Sequence, residues 1–155
     1  MHFAIETSSA RETKAWGRRL ASMLSGGELI ALIGDLGAGK TVFIKGMAHG
    51  LQLDEQDVVS PTFTIIQEHR GRLPLYHVDL YRLERTSLDE LGLREYLFSA
   101  GVAAVEWFER LGEAETIPCL AIRITYQGAN ERRIEFDAEV EPYGSLLAGL
   151  MRRFG

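Results

Sequence analysis

At 155 residues, 46% of them hydrophobic and 25% charged, the chain has the length and balance of one soluble domain with a real core. Its net charge of −5 excludes a global basic field for nucleic acid or anionic membrane, so any RNA-related role works through a local patch or a partner. No apolar run approaches membrane-spanning length, no basic leader opens the chain, and the single cysteine, Cys119, excludes an intramolecular disulfide, so a single cytoplasmic domain over 1–155 is expected.

His2 to Glu6 is short and partly alternating and predicts an edge strand. Ser9-Ala10-Arg11-Glu12 has the S-x-x-E form of a capping box, in which Ser9 and Glu12 satisfy donors at a helix start. Trp16, Leu20, Met23 and Leu24 then share one helical face, with Gly26-Gly27 as the stop and the helix packed beside the strand that follows. That strand is Leu29 to Ile33. A helix from Val42 to about Leu51, stopped at Gly50, comes after it, and then a solvated acidic loop from Asp54 to Asp57.

Pro61 makes Ser60 to Thr64 a stiffened, hydroxyl-rich turn. Thr62 to His69, a turn at Arg70-Gly71-Arg72 and Leu73 to Asp79 read as a hairpin. Ser87-Leu88-Asp89-Glu90 opens another helix with capping-box spacing, running through Leu91, Leu93 and Tyr96 to Phe98. Val102 to Val105 is a short strand ending in Glu106-Trp107. Cys119 to Tyr126 and Arg133 to Glu139 form a late antiparallel pair, with Cys119 as packing, and Leu146, Leu147, Leu150 and Met151 close the chain as a helix. The arginines at Arg82/Arg85, Arg132/Arg133 and Arg152/Arg153 read as solvated helix ends and strand faces. Strands alternating with helices, with a hairpin added late, predict an α/β sandwich of the P-loop NTPase type, its mixed and partly parallel central sheet flanked by helices.

Between the strand and the helix lies Gly34-Asp35-Leu36-Gly37-Ala38-Gly39-Lys40-Thr41, the pattern G-x-x-x-x-G-K-[ST]. Glycines let successive backbone N–H groups curl around a phosphate, and the helix N-terminus adds its positive dipole end. Lys40 reaches the β- and γ-phosphates and the Thr41 hydroxyl takes a place on Mg²⁺. The pattern predicts a nucleotide site over Asp35 to Thr41. The guanine-reading Asn-Lys-x-Asp pattern is absent, which by itself does not settle ATP against GTP.

Hydrolysis also needs a carboxylate, and in many such ATPases it ends a second apolar strand beside the loop strand. Glu106 fits that position. Asp79 is a second candidate: on a strand, His77, Asp79 and Tyr81 share a face opposite Val78 and Leu80. The Ser60 to Thr64 hydroxyls suit a switch loop that senses a γ-phosphate. Trp107 could stack on a ligand or a partner, with a core aromatic beside Glu106 as the default reading.

GDLGAGKT at Gly34 to Thr41, SPTFT at Ser60 to Thr64, HVDLYRL at His77 to Leu83 and VEW at Val105 to Trp107, in that order, resemble the bacterial TsaE family, formerly YjeE, of tRNA threonylcarbamoyladenosine synthesis. The resemblance implies a Mg-dependent ATPase, slow alone and stimulated by partners. Thr41 and Glu106 would hold Mg²⁺, Asp79 and Lys40 would serve hydrolysis, and Ser9 would lie near the nucleotide. It also implies two partner proteins, TsaD and TsaB, with tRNA engaged indirectly and ATP hydrolysis resetting their assembly rather than transferring the threonylcarbamoyl group. Phe108 departs from the family, which commonly has proline there. A small P-loop kinase and a nucleotide-holding adaptor are the competing classes. The kinase lacks a visible lid insertion, and the adaptor leaves Asp79 and Glu106 unexplained.

Overall fold

Leu29-Ile30-Ala31-Leu32-Ile33 and Val102-Ala103-Ala104-Val105 are apolar at consecutive positions, which suits strands covered on both faces. In the computed structural model, which describes residues 1–35, 37–59 and 65–155, they become neighbouring central strands. The elements run β1 (His2–Thr7), α1 (Ala10–Ser22), β2 (Leu29–Ile33), α2 (Lys40–Gly50), β3 (Ile66–Arg70), β4 (Pro74–Asp79), α3 (Leu88–Leu91), α4 (Arg94–Leu97), β5 (Val102–Glu106), β6 (Leu120–Tyr126), β7 (Arg132–Ala138) and α5 (Tyr143–Phe154). The strands form one sheet in the order β1-β7-β6-β2-β5-β4-β3.

The four inner strands, β6, β2, β5 and β4, are mutually parallel, and antiparallel strands close both sides: β7 and β1 on one, β3 on the other. This is the mixed, partly parallel sheet expected. One face carries Ile30, Leu32, Ala104, Ile122 and Phe136, buried under Trp16 and Leu20 of α1, Phe43, Ile44 and Met47 of α2, and Leu147 and Leu150 of α5. The other face, with Ala31, Val78 and Val105, is covered by Leu88, Leu93, Leu97 and Phe108. The second cover centres on β2, β4 and β5, with Ile66 of β3 packed at its margin; β6 alternates buried and solvated residues, as a one-sided strand does.

Helix α1 lies against α2 rather than along the loop strand. A Cβ on Gly46 would stand 1.9 Å from the Lys14 carbonyl oxygen, and one on Gly17 2.1 Å from that of Phe43, so two glycines set the closeness of the pair. Gly50, expected as a stop, also faces this seam: a Cβ there would be 2.6 Å from the Arg18 oxygen.

Several expectations need correcting. α1 ends at Ser22, with the Met23 N–H donating to the Leu20 carbonyl and the Leu24 N–H to that of Ala21, so the glycine pair lies beyond the helix. Ser9 caps α1 by accepting from Glu12 N at 3.1 Å, but the Glu12 carboxylate returns to Ser8 N and Oγ. The helix over 87–98 is two short helices, divided where Gly92 (φ 64°) caps the first in a left-handed turn. The acidic loop, by contrast, is solvated as expected, Asp54 and Asp57 being exposed; within it Glu55–Asp57 forms a 3-10 turn with a 2.8 Å ion pair between Glu55 and Lys14.

Candidate nucleotide site

Ile33, Asp79, Glu106 and Tyr126 all stand at the carboxyl ends of the parallel strands, the edge at which open α/β sheets receive ligands. The loop leaves β2 there. Gly39 is its hinge: at φ 114° it caps α2 in a conformation that L side chains rarely adopt. Lys40 and Thr41 follow as the first residues of α2, where the helix dipole is positive. Leu36, expected among the nucleotide-binding residues, lies outside the described residues, as do Ser60 to Thr64 of the expected switch loop.

The Lys40 side chain folds back over the loop. Its Nζ donates to the Gly34 carbonyl oxygen and stands 4.0 Å from the centre of the Trp107 ring, a cation–π contact. Burial pulls the Lys40 pKa below the usual lysine value, opposed by the nearby carboxylates Glu106, Glu109, Asp79 and Asp35. The ammonium therefore sits in an acidic ring, its contacts a carbonyl and an indole.

Registry explains how the acids meet. Glu106 is the cross-strand partner of Leu32 on β2 and of Asp79 on β4, so both carboxylates end their strands at the same level beside the loop strand. Glu106 is 3% exposed and accepts a 2.6 Å hydrogen bond from His77 Nε2. Asp79 caps the next turn, accepting from Tyr81 N at 2.9 Å. Burial raises its pKa above the ordinary carboxylate value, the Glu106 charge adds to the rise, and the Tyr81 N–H, His77 and Lys40 oppose it. Tyr81 was expected on the strand face with His77 and Asp79. It lies past the strand end instead, its ring 5.3 Å from that of Trp107.

Trp107 packs against the core of the second face, as its default reading has it, and also touches Lys40, Tyr81 and Arg110. Its φ of 58° turns the chain sharply after Glu106, into the 3-10 turn Phe108–Arg110. Phe108 is buried in the core of the second face.

Ser9 lies at the same end of the sheet through its helix. One turn along α1, the Thr13 methyl is 3.9 Å from where a Gly39 Cβ would stand, and the Thr13 hydroxyl bonds that of Thr7 at the end of β1. Arg132 was missed. Expected on a solvated strand face, it donates from Nε to the Ala38 carbonyl at 2.8 Å and stacks on Tyr126 at 4.3 Å, pinning the loop from β7. Only the β1-β7-β6 pairing brings it there, and nothing local in the sequence signals it.

The oxygen donors fit Mg²⁺ as a nucleotide's companion. Among the described residues no cluster of three or more His, Cys, Asp or Glu could cage a metal. A site offering Glu106 and the Thr41 hydroxyl suits an ion that keeps waters and takes the rest of its shell from phosphates. Glycine loop, lysine and helix start likewise fit a polyphosphate.

This fold and loop define an α/β protein of the P-loop class. The sequence model of the family "Threonylcarbamoyl adenosine biosynthesis protein TsaE" matches residues 7–134. The chain is 45% identical over 147 residues to the Bacillus subtilis (strain 168) "tRNA threonylcarbamoyladenosine biosynthesis protein TsaE", covering 94% of this chain and 92% of that protein. It is 39% identical to the protein of that name from Treponema pallidum, over 79% of this chain and 93% of the other. Among solved structures, a crystal structure of Bacillus subtilis YdiB superposes with a TM-score of 0.82 at 38% identity, covering 100% of this chain and 97% of that one. The chain belongs to the TsaE family. No helix among the described residues is long and apolar enough to cross a membrane.

Proposed function

We propose that this chain is a Mg²⁺-dependent ATPase that supports a tRNA threonylcarbamoyl-transferase assembly, its hydrolysis resetting partners rather than carrying out the transfer. The observation that carries the reading is the proximity of Lys40, at the start of α2, to Glu106 at the carboxyl end of β5, with Asp79 level with Glu106 on β4. Family membership supports the pathway, through relatives that carry its name.

Asp35, Leu36, Gly37, Ala38, Gly39, Lys40 and Thr41 are the groups to cradle the phosphates, with Ser9 at the edge of the nucleotide. Lys40 exchanges the Gly34 carbonyl and the Trp107 face for phosphate oxygens. Thr41 and Glu106 would hold the Mg²⁺, which supplies charge neutralisation on the phosphoryl oxygens. Asp79, whose raised pKa suits a group that takes up a proton, orients the attacking water or accepts its proton.

The expected partners are TsaD and TsaB, with tRNA reached through them and the assembly working in the cytoplasm. ATP turnover should be slow alone and rise when the pair is added, with free phosphate as the product. Glu106→Ala should bind Mg²⁺-free nucleotide and release no phosphate. A phosphorylated acceptor would make the chain a kinase, and unchanged ATP even with both partners would make it an adaptor; either outcome overturns the reading.

A further inference from the structure

His77 lies on β4 beneath the sheet edge that carries the acids, and none of the roles above uses it. It is fully buried, on the sheet face that α2 covers. Its directly opposite neighbours are Gln67 on β3 and Ala104 on β5. Ala104 is only a methyl, so the imidazole leans along the strand to the next residue on that face of β5. That residue is Glu106, at the diagonal position long side chains can span. The contact is short, 2.6 Å from Nε2 to Oε2, and both side chains are shielded from water.

The rest of the ring has no such anchor. Among the described residues, Nδ1 is buried without a hydrogen-bond partner, as are Oε1 of Gln67 and Nε2 of His69 on the same face. An orphaned buried polar atom costs stability that an apolar residue of similar size would avoid. The Nε2 bond is therefore what the imidazole contributes at this position.

We infer that His77 is a positioning residue for Glu106: its Nε2–H holds Oε2 and so leaves Oε1 as the oxygen offered to the metal of the bound nucleotide. The inference rests on the reading of Glu106 as a metal ligand. Ligating side chains are commonly fixed in this way by outer hydrogen bonds, and removing such a partner typically costs about 10–100-fold in metal affinity. Asp79, directly opposite Glu106 and of like charge, makes a fixed carboxylate more necessary, since an untethered one would swing from its neighbour.

The amide nitrogen of glutamine falls where Nε2 of histidine does, and that of asparagine where Nδ1 does, so the two variants separate the bond from the bulk. Mn²⁺ affinity would be measured by paramagnetic resonance of the free ion, with the β,γ-imido analogue of ATP bound, on wild type, His77→Gln, His77→Asn and Glu106→Ala. His77→Gln should stay within about threefold of wild type. His77→Asn should lose about 10–100-fold, with binding of the metal-free analogue unchanged. Wild-type Mn²⁺ affinity in His77→Asn, or equal loss of metal-free binding in both His77 variants, overturns the inference. If Glu106→Ala keeps full Mn²⁺ affinity, the reading of Glu106 fails instead. Should the variants not fold, nitrogen-15 NMR of the wild-type histidines decides: His77 must carry its proton on Nε2, and a ring protonated on Nδ1 alone rules the role out.

Discussion

Asp79 shows how a site residue can work against its own fold. Burial, with the Glu106 charge adding to it, raises its pKa, so the folded chain keeps that proton to higher pH than the unfolded chain does. The stability from this proton is fully present below the ordinary carboxylate value, about 3.9, and is lost as pH rises through the raised value. At neutral pH the Asp79 charge is therefore a net cost to folding. Asp79→Asn, which keeps an oxygen for the Tyr81 N–H, should raise the thermal midpoint at pH 7, an advantage that shrinks towards pH 4; melting curves at the two values read the difference. The same variant should slow phosphate release by about 10²–10⁴-fold if Asp79 handles the water proton. A lower midpoint at pH 7 would mean that the carboxylate is better paired than its burial suggests. Cys119, by contrast, packs against the core of the second face, where burial pushes its thiol up to about 11 and so disfavours the thiolate.

At the scale of elements, the seam between α1 and α2 sets the position of the loop, because Lys40 and Thr41 open α2. Gly46→Ala would drive a methyl to within 1.9 Å of the Lys14 carbonyl, a backbone atom that cannot rotate away. Overpacking of this kind costs about 3 kcal/mol, or roughly 6–12 °C in midpoint for a domain of this length. Calorimetry would measure it, and a shift under 2 °C would mean that the helices slide apart easily. Arg132 ties the other side of the loop. Arg132→Ala removes the bond to Ala38 and should weaken nucleotide binding several-fold in a fluorescence titration, with the midpoint lowered by little; unchanged affinity would make the tie incidental.

Strand and helix periods were readable where the reasons are local. The apolar runs at Leu29 to Ile33 and Val102 to Val105, the glycine loop between strand and helix, and the cap at Ser9 each depend on residues a few positions apart. What was not readable depends on pairing across the chain. Arg132 reaches the loop only because β7 lies between β1 and β6, and Trp107 joins Lys40 only through a left-handed turn that no local rule demanded at a tryptophan. The break at Gly92 was a local signal overridden by an apolar pattern that runs across it.

Over the whole molecule, four parallel strands bring a lysine, two carboxylates and a glycine hinge to one edge, and antiparallel strands on either side add an arginine tie and the start of α1. The chain belongs to a family whose name places it in threonylcarbamoyl adenosine biosynthesis. The claim beneath the proposed function is that a triphosphate binds at the loop ending in Thr41 by displacing Lys40 from its carbonyl and indole contacts. Calorimetric titration of ATP and Mg²⁺ into wild type and Lys40→Ala tests this most directly. One site per chain, weakened about 10–100-fold by the loss of a charge-assisted bond worth about 1.5–3 kcal/mol, is the predicted result. Equal affinity in the two proteins would contradict it.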